Sequence, residues 1–378
     1  MKEGEKRIVV AGGGTGGHVF PALAVADEMK RRHPKVAIEF VGGTRGLETR
    51  LVPAAGYRLR TMAMLGIKGA SLPARAVAAA AAALATARCL AWMLRDRPDL
   101  VIGVGGYASG PAVLAARLLR VRTMVMEQNH FPGAVNRWLA PRVDAVCVPS
   151  EAARVRLGGR GFVTGNPVRR EFAAIGPPPP GDRLSLLVFG GSRGARSINR
   201  ATAGALPHLA RIAPAPRIVH QTGAEDERFV ADAYGTYSGP HEVRAFLDDM
   251  PARLAAADLV VSRAGATTLS ELAAAGRPAV LVPYPFAADD HQRLNAEAVR
   301  DAGAALVILD RDLDGDRLAE AIVSLAADPG RRREMGEAAR RLARPDAAER
   351  IADVAEALLG VGAPLSDRPG GKETPDVP

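Results

Sequence analysis

Short apolar, β-branched runs alternate along the chain with segments of helical periodicity. The first run, Arg7-Ile8-Val9-Val10-Ala11, leads into a glycine turn and then a helical pattern over about 21–32. Further strand patterns follow at 36–41, 100–104, 123–126 and 145–148. This βαβ rhythm predicts a mainly parallel sheet covered by helices on both faces.

The rhythm stops at Gly165-Asn166-Pro167 and at Pro177-Pro178-Pro179-Pro180-Gly181, where consecutive prolines forbid helix and ladder pairing. It restarts with a strand pattern at 184–189, a second glycine turn and a helix from about 197. Strand patterns at 218–221, 259–261 and 279–282 complete the series. The chain therefore reads as α/β, with two similar halves: a domain over 1–166, a linker over 167–181 and a domain over 182–359, whose last helix is free to pack back on the first. The stretch 360–378 is rich in Gly, Pro and charge without periodicity and is expected to be disordered. Open parallel sheets bind ligands at the carboxyl ends of their strands, so the expected site is the cleft between the halves.

Length supports two cores, since 378 residues exceed what one usually spans. A hydrophobic share of 48% allows both to be sizeable, while 4% aromatics leaves few stacking platforms for single-stranded nucleic acid, which is not expected as a partner. The net charge of +9 calls for something anionic, by charge alone nucleotide phosphates, an anionic lipid surface or nucleic acid, unless it is only a solvated arginine-rich exterior. Cys89 and Cys147 lie far apart and no Cys/His cluster has zinc spacing, which fits a reducing compartment. The polar start, residues 1–7, does not have the pattern of a secretory signal. The stretch 76–94 is apolar, but it is mostly alanine and is interrupted by Arg88. It is expected to be a buried or interfacial helix rather than a membrane span.

Three strand-to-helix junctions carry candidate chemistry. The first, Gly12-Gly13-Gly14-Thr15-Gly16-Gly17-His18, contains the spacing GxGxxG, which means close backbone approach and amide donors at a helix N-terminus. A nicotinamide enzyme would end the next strand in an acidic residue, and this one ends in Gly42-Gly43. His18 is either a packed or capping histidine or, as a neutral imidazole, a base or hydroxyl ligand. The second junction, Phe189-Gly190-Gly191-Ser192-Arg193-Gly194-Ala195-Arg196, suits a diphosphate, with a glycine-dependent tight turn as the plain alternative. The third places Glu271 just inside a helix, where it serves two ribose hydroxyls or merely the helix dipole. The segment Asp310-Arg311-Asp312-Leu313-Asp314-Gly315-Asp316 begins like an EF-hand, but its twelfth position is Ala321. It reads as an acid-capped turn into a helix, and no metal is expected.

An ordered set of blocks now resembles one family, the MurG peptidoglycan glycosyltransferases, over about 8–308. The blocks are Gly13 to His18 with Pro21, Gly42-Gly43-Thr44-Arg45-Gly46-Leu47-Glu48, Gly105-Gly106-Tyr107-Ala108-Ser109-Gly110-Pro111 and Glu127-Gln128-Asn129. They continue with Gly165-Asn166-Pro167-Val168-Arg169, Gly190-Gly191-Ser192, Gln221-Thr222-Gly223, Asp249-Met250, the Arg263 to Glu271 junction and Asp290-His291-Gln292 with Asn295-Ala296. Met126 departs from the family's His before Glu-Gln-Asn, and Arg193 stands where Gln is common.

The resemblance implies a GT-B fold, two Rossmann-like domains with mainly parallel sheets facing each other across a cleft. It implies an inverting transfer of N-acetylglucosamine from UDP-N-acetylglucosamine to the C4 hydroxyl of an undecaprenyl-linked muramyl peptide, with no cofactor and no metal. By motif position, Glu271 would hold ribose, Ser192 the diphosphate and the Leu247 backbone the uracil, with Arg169 also on the nucleotide. Ala266, Thr267, Thr268, Leu269 and Ser270 would line the diphosphate and sugar, Gln292 the sugar hydroxyls, and Asn129 would reach the sugar from the other domain. Thr15, Gly16, Gly17 and His18 would face the reacting centre, with His18 the candidate base and Glu48 and Glu127 in reserve. Implied too is a peripheral place on the cytoplasmic face of the membrane. The expected contact is Leu65, Ile67, Leu72, Leu84, Trp92 and Met93 interspersed with Lys68, Arg75, Arg88 and Arg95. A UDP-sugar 2-epimerase of the same fold is the rival enzyme, and a non-catalytic nucleotide-sugar sensor the rival of another class.

Overall fold

Alternation within the apolar runs sorts their side chains onto two faces, and both faces are buried. The computed structural model describes residues 6–63, 72–179, 181–287 and 290–364, with the side chains of 72–76 outside the described set. It divides into two compact units, residues 1–169 with 346 onward, and residues 170–345.

In the first unit the strands are β1 (Arg7–Ala11), β2 (Ala37–Gly43), β3 (Arg58–Met62), β4 (Leu100–Gly103), β5 (Arg122–Met126), β6 (Ala145–Val148) and β7 (Phe162–Val163). They form one seven-stranded sheet in the order β3-β2-β1-β4-β5-β6-β7, and its pairings are parallel. Ile8, Val10, Ile102 and Met124 enter one core, while Val9, Val101 and Val125 enter the core on the opposite face. That split is the period-2 consequence of a sheet sandwiched between helices.

The second unit repeats the plan with β8 (Ser185–Phe189), β9 (Arg217–Gln221), β10 (His241–Arg244), β11 (Leu259–Ser262), β12 (Ala279–Leu281) and β13 (Ala305–Val307). Its order is β10-β9-β8-β11-β12-β13, again with parallel pairings.

The strands without a sequence signal are β3, β7, β10 and β13, and these are the four sheet edges. An edge strand is half solvated, so β3 and β10 carry polar residues such as Arg58, Arg60, His241 and Arg244 rather than an apolar run, while β7 and β13 are apolar but only two and three residues long. The first helix also differs from its pattern. It spans Gly16–Arg32, starting five residues before the expected 21, because Gly16, Gly17 and His18 contribute no apolar periodicity although they occupy its first turn.

Two boundaries move. Residues 170–179 belong to the second unit rather than to a free linker, because Phe172 is fully buried there and Ile175 is buried beside it. The helix Ala347–Leu359 belongs to the first unit and not to a domain ending at 359. Its Ile351, Ala352, Val354, Ala355 and Leu359 enter the first core. Its polar edge is held by Arg32, which donates to Asp353 at 2.7 Å and to Glu356 at 3.0 Å. Of the tail, 361–364 is exposed and 365–378 lies outside the described residues.

The helix Leu72–Arg95 packs against the helix Ser109–Leu118 through a stripe of Ala78, Ala85, Cys89 and Met93. Its segment Val77–Arg95 is long and apolar enough to cross a membrane by length and composition, and 22% of it is buried. Val77, Leu84 and Leu94 point outward. Two members of the expected membrane patch are therefore reassigned, since helical periodicity turns them inward: Met93 is fully buried, and Trp92 lies under the Arg60 guanidinium at 4.5 Å. Leu65, Ile67 and Lys68, and the side chains of Leu72 and Arg75, lie outside the described residues.

Arg277 is 1% exposed. Its guanidinium donates to the carbonyls of Leu254, Ala275, Gly176 and Ala255, tying two helix C-termini to the start of the second unit. Burial and then the nearby Arg340 charge push it down to about 10. Arg277→Lys cannot reproduce this planar fork, and the buried carbonyls it strands should lower the unfolding free energy by about 2–4 kcal/mol, measured by urea denaturation. An unchanged midpoint would show that water replaces the fork.

Candidate functional site

In each sheet the strand order reverses beside the first strand of the unit, at β1/β4 and at β8/β11, so the loops leaving those strands part to opposite faces and open a crevice. In the first unit the loop after β1 is Gly12-Gly13-Gly14, with φ of +151°, +150° and +94°. Glu48, 2% exposed, sits inside this loop. Its carboxylate accepts Gly14 N at 2.7 Å and Gly43 N at 2.8 Å, and a Cβ on Gly13 would overlap it. Glu48 is thus an anchor that shapes the glycine loop, and its oxygens are committed to backbone amides.

The loop delivers Thr15, Gly16, Gly17 and His18 to the N-terminus of the helix Gly16–Arg32, where Thr15 makes no side-chain cap. Thr15 is exposed and the other three are partly exposed. His18 Nδ1 is buried without a partner of acceptable geometry. Burial lowers the His18 pKa, against the opposing pull of the Glu127 carboxylate, the Gly13 backbone and the Glu48 carboxylate. The imidazole is therefore neutral at physiological pH and able to accept a proton.

Glu127 follows β5 and plays a similar part to Glu48. Its Oε1 accepts the backbone N–H of Gln128 and of Asn129 and the Asn129 side-chain amide, at 2.8–3.0 Å. Its Oε2 accepts Gly133 N and the Asn136 side-chain amide, both at 2.9 Å. Asn129 is therefore held by a buried carboxylate two strands over from the glycine loop. Met126, in the family's histidine position, is core and only its carbonyl is polar, accepting from Asn136 at 3.0 Å.

In the second unit, Ser192, Leu247, Ala266 to Glu271 and Gln292 all follow the carboxyl ends of strands, at β8, β10, β11 and β12 respectively. The β8 loop turns through Gly191 and Gly194, and Gly194 (φ +76°) stacks so closely on Thr222 that a Cβ there would overlap the Thr222 carbonyl. Gln221 joins two loops: its Nε2 donates to Gly191 O and its Oε1 accepts Leu247 N, each at 2.9 Å. The Leu247 N–H is thus engaged within the protein.

The helices Arg196–Leu209 and Ala266–Ala275 both begin at this crevice, without a side-chain cap from Ala195 or Gly265. Glu271 is buried in the second turn of the latter helix, and Ser270 Oγ donates back to Ala266 O. Gln292 accepts Tyr284 N at 3.0 Å, which sets its orientation.

Arg169 belongs to the first unit. Its guanidinium lies 4.8 Å over the Phe20 ring on the helix after the glycine loop. Arg263, by contrast, serves as a brace: it donates to Val282 O, Pro283 O, Asp310 and Ser197 Oγ. Asp310 is thereby tied to Ser197 and Arg263, and Asp314 accepts Arg317 N as the cap of the helix Gly315–Ala326. The roles of Glu48, Glu127 and Gln221 as loop anchors were hidden in sequence. Their one signal was the crowding of glycines around Glu48 at 42, 43 and 46.

Two switch-point crevices with glycine loops are the architecture of a nucleotide-sugar glycosyltransferase. Residues 8–148 match the glycosyltransferase family 28 N-terminal domain and residues 185–351 its C-terminal domain. The chain is 46% identical to the UDP-N-acetylglucosamine–N-acetylmuramyl-(pentapeptide) pyrophosphoryl-undecaprenol N-acetylglucosamine transferase of Anaeromyxobacter sp. (strain Fw109-5), over 96% of this chain and 97% of the relative. It is 44% identical to the protein of that name from Geotalea daltonii, over 92% and 96%. Acinetobacter baumannii MurG superposes with a TM-score of 0.73 at 29% identity, covering 92% of this chain and 99% of that one. A UDP-GlcNAc 2-epimerase from Neisseria meningitidis shares the fold, with a TM-score of 0.65 at 14% identity over 92% and 99%. The chain belongs to the MurG family of N-acetylglucosamine transferases.

Glu48→Gln turns one amide acceptor into a donor facing Gly14 N or Gly43 N. It should lower stability by about 1–3 kcal/mol in thermal or urea melts while leaving UDP affinity unaltered, because the nucleotide motifs lie in the other unit. Loss of UDP binding in a folded variant would contradict that separation.

Proposed function

We propose that this protein moves N-acetylglucosamine from UDP-N-acetylglucosamine to the C4 hydroxyl of the muramyl sugar of undecaprenyl-pyrophosphoryl-MurNAc-pentapeptide, with inversion. The observation carrying the reading is the conjunction of family membership with a partly exposed His18 beside the first glycine loop, whose Nδ1 is buried and whose desolvation keeps it neutral. The C4 oxygen bonds to the anomeric carbon, the bond from that carbon to the diphosphate breaks with its electron pair leaving on UDP, and the hydroxyl proton passes to His18. The uncapped N-termini at Ala266 and Arg196, with Ser192, supply donors to the developing diphosphate charge. Glu271 takes ribose hydroxyls, Ala266 to Ser270 the diphosphate and sugar, Gln292 the sugar hydroxyls, and the Leu247 backbone the base. Asn129, Thr15, Gly16 and Gly17 serve the acceptor side with His18, and Arg169 the nucleotide. The 2-epimerase alternative has only fold likeness behind it, and a transfer assay with labelled donor, with and without a short-chain lipid-linked muramyl peptide, separates the two products.

The enzyme works as a peripheral protein on the cytoplasmic face of an anionic membrane. Val77, Leu84 and Leu94 on the helix Leu72–Arg95, with Leu118 on its neighbour, form the exposed apolar contact, and Arg88 and Arg95 the charged one.

Glu271→Ala should weaken UDP about ten- to a hundredfold in calorimetric titration, the loss of charge-assisted bonds worth roughly 1.5–3 kcal/mol. His18→Ala should leave UDP affinity in place and lower turnover by about 10²–10⁴-fold. A His18→Ala protein that loses UDP but keeps turnover at saturating donor would reverse the assignment of the two halves.

Sedimentation with anionic vesicles should fall as salt rises, each basic residue near the surface contributing about 1 kcal/mol. Leu84→Glu with Leu94→Glu should weaken it further. Equal sedimentation with neutral vesicles would defeat the electrostatic part.

A further inference from the structure

Buried polar atoms without a partner gather in the first unit on residues that follow β1, β4 and β5: His18 Nδ1, Ser109 Oγ, Gln128 Oε1 and Asn136 Oδ1. Gly105, after β4, brings two of these side chains, His18 and Asn136, to one point. A Cβ on Gly105 would lie 3.0 Å from His18 Nε2 and 3.6 Å from Asn136 Nδ2, so the imidazole and the Asn136 amide crowd the same point. Asn136 Nδ2 in turn donates to Glu127 Oε2 at 2.9 Å and to Met126 O at 3.0 Å. Glu127 is 4% exposed, and its two oxygens take N–H groups from Gln128, Asn129, Gly133 and Asn136.

We infer that Glu127 is a positioning residue for the transfer: its carboxylate orients Asn129, fixes Asn136 beside His18 and supplies the negative charge that stabilises the imidazolium formed when His18 takes the acceptor's proton. This rests on the reading of His18 as the base. Glu127 is not itself the base, because its lone pairs are spent on the loop 127–136.

The electrostatics around the ring agree. Burial is the largest influence on His18 and keeps it neutral at rest, the Glu127 charge is the strongest opposing one, and the Gly13 backbone and the Glu48 carboxylate add to it. A low-dielectric surrounding strengthens such a charge pair once the proton arrives. The arrangement is that of a base whose charged form is prepaired with a carboxylate it does not touch.

Glu127→Gln keeps the size and removes the charge. In the full-length chain without substrates, the His18 imidazole titration followed by NMR should move to lower pH than in wild type, and the acid limb of the kcat profile should move the same way. Plateau kcat should fall about 10- to 100-fold, with UDP affinity unchanged. A fall in kcat with the His18 midpoint unmoved would overturn the inference, since a purely structural role predicts that. Glu127→Asp retains the charge and serves if the Gln variant does not fold. It should hold the His18 midpoint near wild type while lowering kcat, and a wild-type kcat there would overturn the positioning role. A wild-type chain that transfers nothing to the lipid acceptor would sink the proposed function instead, while the substrate-free His18 midpoint still decides the role of Glu127.

Discussion

Everything in this protein follows from parallel strand pairing. A parallel neighbour is reached only by a crossover, the crossovers here are helices, and the helices cover both faces of each sheet. Each strand must then end in a loop on the same rim, and the reversal of order at β1/β4 and β8/β11 leaves the rim open at one place per unit. The groups assigned to chemistry, from His18 and Asn129 to Ser192 and Glu271, follow the carboxyl ends of strands for that reason.

Open rims expose backbone amides, and this chain satisfies many of them with buried side chains rather than with further loops. Glu48 gathers Gly14 and Gly43, Glu127 gathers the loop after β5, and Gln221 joins Gly191 to Leu247. Glu127 and Gln221 each also fix a residue proposed to meet substrate, Asn129 and Leu247, so on the proposed reading loop stability and site geometry are the same interactions. Two carboxylates close to His18 give its ring a counter-field to the burial that keeps it neutral. A proton acceptor needs both properties, a neutral resting state and a surrounding that tolerates its charged form.

Arginine takes the complementary role for carbonyls. Arg277 and Arg340 collect the carbonyl ends of helices and of residues 175 and 176, immediately after the chain enters the second unit. Arg32 holds the returning helix Ala347–Leu359 in the first unit. Part of the strong positive balance of the sequence is thus structural, spent inside the units, and only the remainder is available to an anionic surface.

The interior strands were legible in the residues themselves, because a strand buried on both faces must be an apolar run such as Leu184 to Phe189. So were the glycine loops, because their φ values exclude other residues. The edge strands were not: β3 and β10 are half solvated and carry no apolar run, and β7 and β13 are only two and three residues long and gain their state from a neighbour. Local pattern left open where Ala347 to Leu359 packs, and only the tertiary structure buries its apolar face against the helix Gly16–Arg32, more than 300 residues earlier. Glu48 and Glu127 stood in the sequence as reserve bases. Only the tertiary structure, by aiming backbone amides at both carboxylates, made them the supports of the loops that carry His18 and Asn129.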